Sequence, residues 1–242
     1  KGYYEAFPMG QQHPDGFLIV TMKRSITHAD KGPQMLARST NGGATWVTEQ
    51  VVVGSTSIES VAHSFFITDS GRQIISYQDD DNYLTQKFAY RDGVTGPFTA
   101  SSTVWNYGTI GSPSPVKMQM APNGVDIWFG YYTAPSTGAC DVAFLKSSNG
   151  GQTWSQGPII TSNATDAYPN YKGNEFAWIW TNKPSDPTAW EGFAIIRPVS
   201  QFAPAQFLKT VNSGVTWTRD LTEDPGSFVD TAGVTQAVSY TH

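Results

Sequence analysis

The stretch STNGGATW spans Ser39–Trp46, and its recurrence decides the reading of the fold. It returns as SSNGGQTW at Ser147–Trp154 and as TVNSGVTW at Thr210–Trp217. Each copy runs small hydroxyl, any residue, Asn, any residue, Gly, any residue, Thr, Trp. Asn in such a turn accepts hydrogen bonds from backbone N–H groups two residues on and closes an Asx-turn. Gly supplies the positive φ that a hairpin needs. Thr adds a second bond to the turn, and Trp has a large ring to bury between neighbouring layers. A worn fourth copy, YRDGVTGPF at Tyr90–Phe98, puts Phe98 in the tryptophan position. The copies recur in steps of roughly 50 to 60 residues, the period of a β-propeller with one four-stranded sheet per blade.

The intervals divide into short alternating or apolar runs bounded by turn residues. In the first blade these are EAFPMGQ, GFLIVTM, QMLARS and WVTEQVVV; in the fourth, EFAWIWT, WEGFAIIR, AQFLKT and WTRDL. No segment keeps a helical period with caps. The expected fold is all-β: a single propeller domain over 1–242, with blades near 1–53, 57–105, 112–161 and 171–221 and a partial blade at 226–242. The partial blade offers two strands, not four. About five blades are therefore expected, or a fragment of a six-bladed propeller. An open blade edge invites pairing, so missing sequence, a partner chain or the N-terminal strand is expected to complete it, and self-association is one route.

Composition agrees with a β-rich globular chain. Aromatics make up 13% and charged residues 14% of the 242 positions, the reverse of a disordered composition. The net charge of −5 argues against nucleic acid as a partner. No apolar run approaches the roughly 20 residues that a membrane-spanning helix needs, so membrane insertion is not expected. Cys140 is alone and has no partner for an internal disulfide. No zinc spacing is present, and no cofactor is called for. Asn163–Thr165 forms an N-glycosylation acceptor triplet.

Turns alternate between the two ends of a blade, so the repeated turn leaves the opposite end to the unrepeated loops. These are the second-to-third-strand loops (Lys23–Pro33, Asp79–Tyr83, Thr133–Ala139, Arg197–Pro204) and the blade-to-blade loops (Gly54–Ser60, Asn106–Ser112, Ser162–Glu175). They hold the charged residues Arg24, Asp30, Glu175 and Arg197. Lys23, His28, Glu59, His63, Asp79, Tyr107, Tyr131, Tyr171 and Lys172, in or beside them, are candidate substrate contacts. Such polar groups converging on one axial pocket would suit a polar ligand. Plainer readings stand beside these: Glu175 paired with Lys172 at a strand start, Arg197 as a strand-end charge, Asp79–Asp81 as a solvated turn, His28 and His63 as hydrogen-bonded loop and strand residues.

The repeat resembles the Asp box, or BNR repeat, of sialidases and their relatives, S-x-D-x-G-x-T-W. Asn41, Asn149 and Asn212 stand in the Asp position and Thr210 in one Ser position. YYEAFPMGQQHPDGFLIVTMKRSITHAD and HSFFITDSGRQIISYQDD are similar to parts of bacteriophage endosialidases, which cut polysialic acid. The resemblance implies a sialidase-like propeller with the boxes facing away from the active site. It implies Glu175 as catalytic acid, Arg197 as a carboxylate-binding arginine, and Arg24 and Asp30 at an arginine and an acid/base aspartate. It also implies an extracellular or virion-surface location. Two departures count against a complete arginine cluster: Ala6 stands where exosialidases carry an arginine, and the third arginine would fall beyond His242. Two functions are expected to compete: a glycoside hydrolase acting on an acidic glycan, and a non-catalytic glycan- or receptor-binding propeller. A protein-interaction propeller is the third reading, and the polar loops argue against it.

Overall fold

Leu18–Ser25 shows how the strands form. Its residues alternate half-buried and buried along the whole length, the period of two expected of a strand packed on one face. Ile19, Thr21, Lys23 and Ser25 share the buried face. The computed structural model describes residues 4–25, 32–54, 56–57, 59–60, 63–79, 82–106, 115–133, 141–160, 175–182, 189–197, 206–219, 228–229 and 235–236.

These residues are all-β. Four antiparallel meanders follow one another along the chain. Blade 1 is Tyr4–Gln12, Leu18–Ser25, Gly32–Ser39 and Val47–Gln50. Blade 2 is His63–Ile67, Gln73–Asp79, Asn82–Arg91 and Thr99–Asn106. Blade 3 is Pro115–Met120, Ile127–Thr133, Asp141–Ser147 and Ser155–Ile160. Blade 4 is Glu175–Asn182, Trp190–Arg197, Gln206–Thr210 and Thr218–Arg219. Beyond them Phe228–Val229 pairs with Thr235–Gln236. The run expected as one strand, WVTEQVVV, divides after Gln50. Val51 turns inward and donates its N–H to the Gln34 carbonyl, and Val52–Val53 pairs with Thr56–Ser57 instead.

The first strand of each blade lies beside the first strand of the next, which wraps the sheets around a common axis as a propeller. Side chains tie these inner strands together. Gln11 Oε1 accepts from the Ile67 N–H of blade 2 at 2.6 Å, and Gln119 Nε2 of blade 3 donates to the Trp178 carbonyl of blade 4 at 2.6 Å. The cores lie between blades. Ile19, Leu36, Val51, Phe65, Ile75 and Phe98 fill the space between blades 1 and 2. Ile74, Phe88, Met118, Phe129, Leu145 and Trp154 fill that between 2 and 3. Trp128, Phe144, Trp178, Trp180 and Leu208 fill that between 3 and 4.

The repeated turn joins third and outer strands in blades 1, 3 and 4. In blade 3 the Ser147 hydroxyl donates to Asn149 Oδ1 at 3.0 Å and accepts from Gly151 N–H at 2.9 Å. Asn149 Oδ1 accepts from Thr153 N–H at 3.0 Å, and Asn149 Nδ2 donates to Thr153 Oγ1 at 2.8 Å. Asn41 and Asn212 make the same bonds. The asparagine therefore reaches four residues on, not the expected two, and it uses its amide as a donor as well as its oxygen as an acceptor. Gly151 holds φ at 84° over the Ile74 side chain.

In blades 3 and 4 the motif ring docks on the preceding blade. Trp154 stacks on Phe88 of blade 2 with centroids 4.2 Å apart, and Trp217 stacks on Phe144 of blade 3 at 5.6 Å. Phe98 takes the same place against blade 1 and is buried. Trp46 departs from the expected burial and is 43% exposed. No blade precedes blade 1 among the described residues, so its ring has no preceding strand to stack on. On the opposite flank, Ile179, Phe193 and Ile195 of blade 4 are exposed as well.

Candidate functional site

The alternation of turns places the repeated motif at one end of every sheet, with the first-to-second-strand loops. A cleft of about 560 Å³ opens at that end between blades 2 and 3, lined by Thr68, Arg72, Asp92, Ile127, Ser148 and Gly150 among others. Its cation is engaged in bracing the fold. Arg72 donates to both oxygens of Asp92 and, through Nη1, to the carbonyls of Asn149 and Gly150 in the blade 3 turn. Nearby, Asp126 accepts from Lys146 Nζ at 2.8 Å, from Ser148 Oγ and from Asn123 Nδ2. Burial pushes the Asp126 carboxyl up, and these three bonds together outweigh it, holding the group below its usual value. These groups fasten turns and blades to one another.

The opposite end carries the candidate residues that the structure describes. Glu175 opens the inner strand of blade 4 and Arg197 closes its second strand, and the two are direct cross-strand partners. Arg24 stands near the end of the second strand of blade 1, half-buried, opposite Glu5 of the inner strand. Sequence reading passed over Glu5. Its signal is the pairing register, which the β-bulge between Ala6 and Met9 conceals from any count along the chain. Glu59 pairs with Pro33, so the blade 1–2 connection returns along the third strand of blade 1. Gly32 fits there because a Cβ would collide with the Arg24 carbonyl oxygen. His63 opens the inner strand of blade 2 opposite Tyr77, and Asp79 ends the second strand opposite Asn82.

Two candidates reach the right end but lie inside the fold. Lys23 is 0% exposed, on the face of its strand that packs between blades 1 and 2. Tyr131 belongs to the core between blades 2 and 3, where its hydroxyl lies 3.5 Å from Gln156 Oε1. Burial raises its hydroxyl pKa against hydrogen bonds with Gln156 and Trp105. Both side chains are thus packed between blades and not turned to solvent. His28, Asp30, Tyr107, Tyr171 and Lys172 lie outside the described residues. Of the candidate catalytic group, the structure brings Glu175 and Arg197 into direct register and puts Arg24 at the same end of blade 1.

Among the described residues no group of three His, Cys, Asp or Glu is placed to hold a metal ion.

The fold is that of a sialidase-like β-propeller. Solved structures similar to it include a Hadza microbial sialidase, with a TM-score of 0.59 and 12% identity over 90% of this chain and 46% of the sialidase. The Trypanosoma rangeli sialidase in complex with sialic acid is similar at a TM-score of 0.55 and 12% identity, over 93% of this chain and 38% of that one. The Penicillium chrysogenum α-L-arabinanase complexed with arabinobiose is similar at a TM-score of 0.55 and 14% identity, over 96% of this chain and 69% of the arabinanase. The chain thus spans less than half the length of either sialidase. No protein-family profile and no curated protein sequence matches it.

Proposed function

We propose that this is a carbohydrate-active propeller, a glycoside hydrolase that takes an acidic, sialic-acid-like glycan at the end of the axis away from the repeated turns. The observation that carries the reading is the register of Glu175 against Arg197. It puts a glutamate that opens the inner strand of blade 4 in register with an arginine that closes the second strand. The guanidinium suits a sugar carboxylate or a pair of hydroxyls, and the carboxylate suits proton transfer or hydroxyl binding. Structural relatives holding sialic acid and arabinobiose support a sugar as the ligand class. The test is a glycan array run beside a reducing-end assay, with Glu175→Gln as the variant. Loss of turnover in a folded variant supports hydrolysis; full turnover rejects the assignment of Glu175.

The register also favours a second reading. An arginine in register with Glu175 suits sugar binding as much as catalysis, because a guanidinium can hold sugar oxygens with no proton transfer. A glycan-binding propeller without turnover is the alternative, on a receptor-binding surface exposed outside the cell or on a virion. Retained binding with no product in the same assay selects it.

A further inference from the structure

Each junction between blades joins two different flanks, and the register identifies both. One residue after the partner of the motif's first residue, the second strand carries Ile19 in blade 1, Trp128 in blade 3 and Phe193 in blade 4. Ile19 and Trp128 lie in the cores shared with the following blade and are buried. Phe193 holds the same position and is 39% exposed, with Ile179 and Ile195 exposed alongside. Lys209 Nζ stands over the Phe193 ring at 5.2 Å, as Lys146 Nζ stands over Trp128 at 5.7 Å. Each lysine also pairs with an acid of its own blade, Glu191 or Asp126, so its charge keeps a counter-ion when another sheet covers the ring. The outer flank of blade 4 is built like the flank of blade 3 that receives a neighbour.

Blade 1 carries the complementary flank. Leu18 and Val20 correspond in register to Ile127 and Phe129 of blade 3, which are buried in the core shared with blade 2. Leu18 and Val20 are only half-buried. Leu18 and the exposed Trp46 ring both border Gly43. The Trp46 indole N–H donates to the Gly43 carbonyl at 3.0 Å, so the turn holds the ring in place before any neighbour arrives. Such preorganisation lowers the ordering cost of docking.

We propose that these two flanks bind each other between molecules: blade 1 of a second copy of this chain docks through Trp46 on the Ile179, Phe193 and Ile195 face of blade 4. A second copy is the occupant because both halves of the junction that repeats inside the molecule stand exposed on it. Each half complements the other and not itself. The contact is therefore heterologous, and copies join head to tail. Burial of apolar surface drives it, around an aromatic anchor of the kind that dominates protein interfaces. The inference stands apart from the carbohydrate reading above.

Sedimentation velocity of the full chain over a range of concentrations tests it, with thermal denaturation alongside. The average mass of the unmodified protein is expected to rise above that of one chain with concentration, and added salt is expected not to reverse the rise. Phe193→Glu and Trp46→Glu are each expected to weaken association about tenfold or more while leaving the melting temperature nearly unchanged. Phe193→Ser and Trp46→Ala take their place if a charged variant fails to fold. Mixing the two variants is decisive. Phe193→Glu keeps its blade 1 flank and Trp46→Glu keeps its blade 4 flank, so together they are expected to form a one-to-one dimer and nothing larger. The mass of a single chain at every concentration of the unmodified protein would overturn the inference. Undiminished association in either variant, or a mixture no more associated than its components, would overturn it as well.

Discussion

Asn149 makes three side-chain bonds inside one turn: it accepts from the Ser147 hydroxyl and the Thr153 N–H, and donates to the Thr153 hydroxyl. An aspartate keeps both acceptor bonds and, with the Thr153 hydroxyl rotated to donate, the third as well. Asn149→Asp is therefore expected to change stability by less than about 0.5 kcal/mol, whereas Asn149→Ala removes the turn's side-chain bonds and costs about 0.5–1.5 kcal/mol. Urea denaturation of both variants separates the two outcomes. Asp126 carries a pH signature. Its folded carboxyl binds protons less readily than the unfolded group at 3.8. The stability it contributes is thus present above that value and lost as pH falls through its lower folded value. Asp126→Asn should show a smaller loss of stability than the unmodified protein as pH falls below 3.8, read by urea denaturation at successive pH values.

Blades 2, 3 and 4 each set one motif-position ring, Phe98, Trp154 or Trp217, into the core shared with the preceding blade. Trp154 is 5% exposed against Phe88, and Trp46 is 43% exposed. Trp154→Ala is expected to cost about 3–5 kcal/mol. Trp46→Ala is expected to cost under about 1 kcal/mol, since little packing is lost. Equal losses in chemical denaturation would contradict this account of the repeat. Between blades 1 and 2 the worn turn is replaced by a buried cation. Arg91 pairs with Glu49 at 2.8 Å, binds Gln73 and the Gly96 carbonyl, and lies over Phe98 at 4.5 Å. Burial lowers the proton affinity of its guanidinium and Glu49 offsets that. Glu49→Gln should destabilise the protein by about 1–3 kcal/mol, because it removes the counter-ion of a buried guanidinium that keeps its bonds to Gln73 and Gly96.

Across the whole molecule, legibility follows locality. The repeated turns were readable because hydroxyl, Asn, Gly and Thr interact within eight residues, and the strand runs because alternation is a local pattern. Trp46 and Trp154 share a motif yet differ in burial, because burial depends on whether another blade arrives, which no local pattern encodes. At the other end the partners are not neighbours in the chain. Arg24 meets Glu5 and Glu175 meets Arg197 only through strand register, and a bulge of one or two residues reassigns it. Lys23 looked like a ligand contact because it was read as the first residue of the Lys23–Pro33 loop, whereas the strand continues to Ser25. Alternation instead puts it on the inner face, with Ile19 and Thr21.

The exposure of Trp46 gives the protein an optical handle. Among the described residues it is the exposed indole, while Trp128, Trp154, Trp178 and Trp180 are enclosed. Its emission should lie to the red of theirs and be selectively reached by iodide. Any sheet that settles on the free side of blade 1, from this chain or another, would shift that red component to shorter wavelength and shield it from the quencher. Steady-state fluorescence with and without iodide, across a range of protein concentrations, would follow closure of the ring without a label.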